Sequence, residues 1–563
     1  MKNSLHSKFT FSFFPLLYTL RHYQCFWLVH DVVAGFSACI VMIPAVIAYA
    51  ELVHLPPIAG LYASLAATIG YALFASSRHV IAGPDAAIGL LAGSAILPLA
   101  LSDPTRVAVL AAELSLLSGV ILLLSARMRL GVIAELLSRP VLIGYLNGAS
   151  MVLISTQLGK LFDIKTKGEA FFPLLFNLIE HLPRTNLPTL CFGVLLILLL
   201  VIIARWAPRV PGALAASAAA ILCVYFFDLE KYGVALVGEV PSGIPQLKLL
   251  VPRWSDIAAL APAAVAIAFL AFSDGILLAH TFAEKHGYHV NPNQELVALG
   301  SANILASVWQ GFPVSASQSR TSVVEASGGK TQMAQVVVAV GLLLFLLFFT
   351  GLIALLPKVA LGSILIVTAA GMLEMASLLK LYKVDRNEFS IAMGVTLVIL
   401  IAGVVPGVIA GLLLSLLAVL LDISRPRDAV LRRLISDGKF HDCMEDDEAE
   451  DVSGVIVYRL YAPLLFANAG YVVTRIRNLV EDAGANLEWL IIDAQAITDM
   501  DVTAAQRFAE LHLEMLEKGI QIKIADAPRP LREELAKVGL SEALGSQQFF
   551  VSVKQAVEAY EMR

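Results

Sequence analysis

The sequence predicts a polytopic α-helical membrane domain followed by a small α/β domain, and three observations carry that reading. Fifty-eight per cent of the 563 residues are hydrophobic and 15% are charged, against roughly 45–50% and 25% in soluble globular proteins. The charge is also unevenly spread. Residues 1–440 hold 29 basic and 23 acidic side chains, a net +6, whereas residues 441–563 hold 11 basic and 22 acidic, a net −11. Third, apolar stretches of about 20 residues, the length that crosses the hydrocarbon core, recur through the first part. A wholly soluble enzyme, a fibrous protein and a disordered chain are excluded, and no basic patch points to nucleic acid.

Taken in order, residues 1–30 read as a cytoplasmic N-terminal segment. Residues 9–20 are apolar but short, and Arg21 and His22 follow where a cleavable signal would carry small residues. The transmembrane domain is expected over 31–424. Full-length spans fall at 32–52, 57–76, 106–125, 139–160, 187–206, 211–228, 257–282, 332–355, 359–378, 386–404 and 405–422, with shorter or broken segments at 85–101, 294–310 and 318–328. Fourteen segments put both termini on one side. Arg127, Arg129, Arg139, Arg205, Arg209, Lys380, Lys383, Arg386, Arg425, Arg427, Arg432 and Arg433 fall on that side, which makes it the cytoplasmic face of a multi-pass inner (plasma) membrane protein.

Two of the broken segments carry the functional signal. Gly83-Pro84 precedes the apolar stretch 85–101, and Gly311-Phe312-Pro313 precedes the polar run Ser315–Arg320. Proline and glycine there favour an extended approach followed by a helix start. They occupy the third and tenth segments, equivalent positions in a seven-plus-seven arrangement. Interrupted segments in matching halves point to a transport site built from half-helix N-termini.

Residues 425–452 are expected to be an acidic linker, since 441–451 hold seven acids and no Lys or Arg. Residues 453–563 then alternate β and α. Strands are expected at 454–460, 487–493, 520–525 and 549–553, with helices at 468–482, 502–518, 529–538 and 553–561. Val502, Ala505, Phe508, Leu511 and Met515 recur at helical spacing, which defines a face for packing on a sheet. This domain has no glycine-rich phosphate loop, no Ser-His-Asp set and no metal cluster, so no enzymatic role and no cofactor are expected. The five cysteines, Cys25, Cys39, Cys191, Cys223 and Cys443, form no CxxC pair and read as apolar fillers rather than as a disulfide framework or metal site.

Nearly the whole chain resembles the SulP sulfate permeases, inorganic anion transporters with a C-terminal STAS domain. Ile43-Pro44 with Ala48-Tyr49-Ala50 and the run Leu55–Tyr62 are similar to the first-span signature, and Ser77-Arg78-His79 with Gly83-Pro84 to the entry of the third. Ser138-Arg139-Pro140-Val141 with Gly144-Tyr145, His286-Gly287-Tyr288, Asn293–Leu296 and Gly328–Gln332 resemble further family strings. Asp499–Thr503 is similar to the STAS loop where relatives carry a regulatory Ser or Thr, so Asp501 and Thr503 become regulatory candidates.

The resemblance implies two inverted repeats, with a core of spans 1–4 and 8–11 moving against a gate of spans 5–7 and 12–14. It places the anion between the facing N-termini of spans 3 and 10. The implied contact set is Ala45, Tyr49, Asp85, Ala86, Ser317, Ser319 and Arg320. Two positions depart from the family pattern. Ala45 stands where many members carry Gln, and Asp85 where many carry a small or apolar residue. An ionised Asp85 competes with an anion, so it is protonated, binds a cation with the substrate, points away, or caps the helix. Asp274 lies mid-span in Ala271–Gly275. An ionised Asp there costs about 2.5–3.5 kcal/mol on insertion scales. It matches the position where proton-coupled relatives carry Glu and sodium-coupled ones Asp. Asp274, with Asp85, is therefore expected to couple transport to H⁺ or Na⁺.

The function expected is secondary active transport (symport) of a small inorganic anion, sulfate foremost, with bicarbonate, chloride or dicarboxylate exchange as the alternative. An anion channel, or a membrane sensor signalling through the STAS domain, is the rival of another class. The lipid bilayer, a second copy of the chain and a cytoplasmic protein on the STAS domain are the partners implied.

Overall fold

The computed structural model describes residues 14–101, 103–131, 138–164, 171–207, 210–238, 240–248, 252–435, 438–443, 449–537, 539 and 545–563. The first 13 residues of the expected N-terminal segment and residues 444–448 of the acidic run lie outside the described residues. The chain divides into two compact units, Met1–Ser415 and Leu416–Arg563.

The first unit is helical. In chain order the helices are α1 (Pro15–Arg21), α2 (Cys25–Leu52), α3 (Pro57–Phe74), α4 (Ala86–Ala100), α5 (Pro104–Arg127), α6 (Arg139–Phe162), α7 (Phe171–His181), α8 (Leu187–Trp206) and α9 (Gly212–Phe227). They continue with α10 (Trp254–His286), α11 (Pro292–Val308), α12 (Gln318–Ala326), α13 (Met333–Phe348), α14 (Gly351–Ala354), α15 (Lys358–Met372), α16 (Met375–Val384), α17 (Arg386–Ala402) and α18 (Val404–Ser424), whose last residues fall past the division at Ser415. Every one of the fourteen segments expected from the sequence holds a helix. Among the described residues, eight helices are long and apolar enough to cross a membrane by length and composition, and α4, α9 and α13 are shorter apolar helices. α2 begins at Cys25, six residues ahead of the expected boundary.

Local chemistry fixes many of the starts. Asp103, Asn291 and Asp385 each cap a helix with a side-chain oxygen, and proline occupies the first turn after Asp103 and Asn291. Two short strands interrupt the helices, β1 (Ala82–Gly83) and β2 (Ser315–Ala316).

The helices sort into two packing groups. In one, α11 lies on α3 and α5, α13 on α2 and α3, α10 on α4 and α5, and α12 on α2. In the other, α6 packs on α15 and α17, and α8 on α9 and α15. This is the core and gate division that the resemblance implies. Close approach within the groups rests on glycine. A Cβ at Gly60 would lie 2.0 Å from the Val46 carbonyl oxygen, and one at Gly144 would lie 2.3 Å from that of Ala392. The groups meet where α2 touches α9 and α15, and where α4 touches α6. At one such meeting Lys160 of α6 pairs with Glu51 of α2.

The second unit is built on one mixed sheet. Its strands are β3 (Asp428–Leu434), β4 (Phe440–His441), β5 (Ala449–Glu450), β6 (Val455–Leu460), β7 (Trp489–Asp493), β8 (Gln521–Ala525) and β9 (Phe549–Phe550). The order is β4-β3-β6-β7-β8-β9, with β5 also paired to β3. β6, β7, β8 and β9 run parallel, and β3 runs antiparallel to β6 with Val430 opposite Tyr458. The helices are α19 (Phe466–Ala483), α20 (Val502–Glu517), α21 (Arg529–Lys537) and α22 (Val553–Glu561). α20 buries Ala505, Phe508, Leu511 and Met515, as the spacing predicts, but Val502, the first residue of the helix, is 64% exposed. Asp493, fully buried at the end of β7, accepts from Arg459 Nε at 2.8 Å and from Arg459 Nη2 at 2.5 Å.

One segment departs from its expected role. Residues 425–452 read as a linker, yet β3 lies inside them and forms an integral strand of the sheet, burying Ala429 and Leu431. The acids that dominate the segment follow this strand instead of replacing it. A membrane unit cut after Ser424 should therefore be monodisperse on size exclusion in detergent. A cut after Ile435 leaves β3 unpaired and should aggregate. Identical behaviour of the two truncations would contradict this placement of the boundary.

Candidate functional site

The site is built where two helices begin against each other. β1 and β2 pair antiparallel, with Ala82 opposite Ala316 and Gly83 opposite Ser315. Each strand then turns directly into a half-length helix, β1 through Pro84 and Asp85 into α4, and β2 through Ser317 into α12. Further bonds lock the crossing. Ser317 N donates to the Ile81 carbonyl at 3.0 Å, and Ile81 N donates to Thr321 Oγ1 at 3.1 Å. Asn303 of α11, wholly buried, clamps the approach to β2. Its Nδ2 donates to the Val314 carbonyl and its Oδ1 accepts from Val314 N, both at 3.0 Å. A helix start presents free N–H groups and the positive end of the peptide dipoles, which attract anions. Here two such starts converge.

Arg320 lies in the first turn of α12 and is only 2% exposed. It does not reach outward along the chain to solvent. Its Nη1 donates to the Pro84 carbonyl at 2.8 Å, which ties the start of α12 to the start of α4. Its Nε and Nη2 are buried with no hydrogen-bond partner among the described residues. Nη2 lies over Gly83, where a Cβ would sit 3.2 Å from it. Any side chain at that position would crowd the guanidinium.

The other expected residues fall as follows. Asp85 is half-buried and caps α4, its Oδ2 accepting from Ala87 N at 3.0 Å. Of the alternatives raised for it, the cap is present. Ala86, the first residue of α4, is buried. Tyr49 is buried on α2, and its phenol, the Arg320 guanidinium and the Asp85 carboxyl lie within electrostatic reach of one another. Ala45, one turn earlier on α2, is partly buried. Ser317 is buried with its Oγ 3.3 Å from Ser319 Oγ, while Ser319 is exposed. Asp274 is half-buried on α10, within reach of the Asp85 charge. Ser315 Oγ donates to the Ala271 carbonyl at 3.3 Å, which fixes α10 against β2 one turn before that acid. The first unit thus gathers Tyr49, Asp85, Asp274 and Arg320 at one place. Asp501 and Thr503 lie in the other unit. Asp501 caps α20 through Ala504 N at 2.8 Å and also accepts from Phe466 N at 2.6 Å, whereas Thr503 is exposed.

Sequence reasoning missed Asn303, whose only signal was a lone amide in an apolar run. It also gave no role to the strings at 77–79, 293–296 and 328–332, and the structure shows one. Glu295 accepts from Ser76 N at 2.9 Å, Ser77 N at 2.8 Å and the Tyr71 hydroxyl, and Asp31 accepts from Lys330 N at 2.6 Å and Thr331 N at 3.0 Å. Gln332 Nε2 reaches the Ser77 carbonyl. These strings brace the segment that leads into β1.

Crossed half-helices inside a multi-pass helical unit, followed in the chain by a separate α/β unit, are the arrangement of an integral membrane transporter. Residues 28–395 match the sulfate permease family, and residues 448–556 match the STAS domain. The chain belongs to the sulfate permease family. It is 37% identical over 550 residues to a Mycobacterium tuberculosis H37Rv protein named "Probable sulfate transporter", with 98% of both chains covered. It is 28% identical over 565 residues to the chloroplastic sulfate transporter 4.1 of Arabidopsis thaliana, covering 97% of this chain and 82% of that one. Its fold matches the murine Solute Carrier 26 family member A9 anion transporter in the inward-facing state, with a TM-score of 0.91 at 22% identity over 99% and 95% of the two chains. It also matches the transmembrane domain of the cyanobacterial bicarbonate transporter BicA, with a TM-score of 0.61 at 20% identity over 68% of this chain and 97% of that one.

Each backbone group left unpaired in the interior costs about 1–3 kcal/mol. Asn303→Ala orphans both polar groups of Val314, so it should lower the thermal unfolding midpoint of the purified protein and weaken anion binding together. Wild-type values for both would show that Val314 is held by other means.

Proposed function

We propose that this protein is a secondary active transporter of a small inorganic oxyanion, sulfate, in the cytoplasmic membrane, driven by H⁺ or Na⁺. The observation that carries the reading is Arg320, a buried guanidinium with two free N–H-bearing nitrogens, set between two converging helix N-termini. A dianion with several acceptor oxygens satisfies those donors and both dipole ends at once. The sulfate transporter names of the relatives that match nearly the full chain support sulfate over other anions.

Asp274 and Asp85 supply the coupling. One guanidinium and two carboxylates leave a net charge of −1 when all are ionised, which opposes an incoming anion. A proton or Na⁺ on this acid pair removes that opposition, and two neighbouring carboxylates in a poorly solvated place favour binding it. Cation loading therefore precedes anion loading. The core group then slides against the gate group and carries the filled site from one side of the membrane to the other. In this reading the fourteen helical segments are fourteen crossings in two inverted sets of seven, both termini are cytoplasmic, and the protein is a homodimer. The STAS unit regulates through a cytoplasmic partner. Thr503, exposed on the first turn of α20, is the accessible regulatory position, and Asp501 holds the loop that presents it.

Uptake into proteoliposomes under imposed H⁺ and Na⁺ gradients tests this reading. Accumulation of sulfate against its gradient is the expected result. Preference for bicarbonate, chloride or a dicarboxylate would change the substrate, and gradient-independent flux would indicate a channel. Arg320→Ala removes a charge-assisted hydrogen bond of about 1.5–3 kcal/mol and should raise the half-saturating sulfate concentration at least tenfold. Unchanged affinity would remove Arg320 from the site. Asp274→Asn should abolish gradient-driven accumulation while sparing exchange of anion for anion. Unaltered H⁺ and Na⁺ dependence in that variant would reduce Asp274 to a structural acid.

A further inference from the structure

Every residue assigned to the site so far lies on the core group, yet the gate holds one buried donor within electrostatic reach of its two acids. Tyr145, on α6, is 2% exposed, and its hydroxyl has no hydrogen-bond partner among the described residues. The acids within electrostatic reach of that hydroxyl are Asp274 and Asp85. α6 packs on α4, the half-helix that Asp85 caps. Neither carboxylate accepts from the phenol, and Asp85 already accepts from Ala87 N. A buried hydroxyl without an acceptor is costly, so its retention calls for an acceptor that arrives with a ligand.

The backbone beneath Tyr145 is held by contacts within the gate. Gly144 sits against the Ala392 carbonyl of α17, and Thr396 Oγ1 donates to the Gly144 carbonyl at 3.0 Å. Gly148, one turn on, lies against Ile399. The ring thus stays with the gate whatever the core does.

We infer that Tyr145 is the gate's ligand to the transported anion, its hydroxyl donating to an anion oxygen held between the starts of α4 and α12. This inference rests on the proposed anion site. It adds a contact made across the sliding interface, so the contact exists only in states that bring the core site beside α6. An interaction present in one state and absent in another biases the equilibrium between them by its full value. Tyr145 therefore couples anion occupancy to the position of the core, a role that no residue on the core alone can play.

Tyr145→Phe deletes one oxygen and keeps the ring. In purified full-length protein, sulfate-dependent thermal stabilisation should show a dissociation constant about tenfold higher than wild type, the size of a lost hydrogen bond to a charged acceptor. The unfolding midpoint without sulfate should not fall, because the phenylalanine leaves no orphaned hydroxyl. Tyr145→Met, measured alongside, keeps the test open should the phenylalanine variant express poorly. Arg320→Ala is the reference. Weakened binding in both positions supports the inference. Wild-type sulfate affinity in the Tyr145 variants with weakened binding in Arg320→Ala overturns the inference alone. Wild-type affinity in all of them overturns the anion site beneath it.

Discussion

The bond from Arg320 Nη1 to the Pro84 carbonyl is the contact on which the rest of the membrane unit turns. A continuous helix satisfies its own backbone, and two interrupted ones do not, so each break exposes groups that must be paired inside the protein. The β1–β2 crossing pairs some of them, and Asn303 and Thr321 pair others. The arginine joins the two breaks across the gap. Burying a guanidinium costs several kcal/mol unless charge or hydrogen bonds compensate. One carbonyl and the neighbouring Asp85 charge compensate in part, and Nε and Nη2 have no hydrogen-bond partner among the described residues.

Much of this was legible in the chain, and the rest was not for identifiable reasons. Gly83-Pro84 and Gly311-Phe312-Pro313 announce the two breaks because proline and glycine act on the backbone they belong to. Asp274 is conspicuous because an acid has no solvation in a span. The pairing of β1 with β2, and the turn of Arg320 inward, depend on contacts more than 200 residues apart in sequence and leave no local pattern. Helices such as α4 are apolar on every face, so no amphipathic stripe tells which side chains meet a neighbour. Asn303 was hidden by that uniformity, and Tyr145 stood out only as part of a string that resembles the family. β3 was hidden by charge: Asp428, Arg432 and Arg433 mark it as polar, although its alternate residues Ala429 and Leu431 are buried and pair with β6. Ser77, Glu295 and Gln332, from three of the strings that resemble the family, proved to be braces for the approach to β1, so part of a recognisable motif serves the backbone.

The two packing groups give the site its mechanics. Small residues let helices within each group approach backbone to backbone, which makes each a stiff body. The contacts between groups are few and specific: α2 with α9 and α15, α4 with α6, and the ion pair of Glu51 with Lys160. Rigid bodies that touch along a limited seam are suited to sliding, and a partly exposed ion pair in that seam is inexpensive to break. The STAS unit is a separate cooperative body whose sheet begins with β3, and its buried Asp493–Arg459 pair belongs to its own interior.

The central claim is positional: the anion lies between the first turns of α4 and α12, against Arg320. Selenate has the shape and charge of sulfate and carries an anomalous scatterer, so crystals of the full-length protein grown with it test the position directly. The account predicts a selenium peak within hydrogen-bonding reach of Arg320 Nη2 and the first N–H groups of α4 and α12. A protein saturated with selenate that shows no peak there, or shows its only peak elsewhere in the membrane unit, would contradict it.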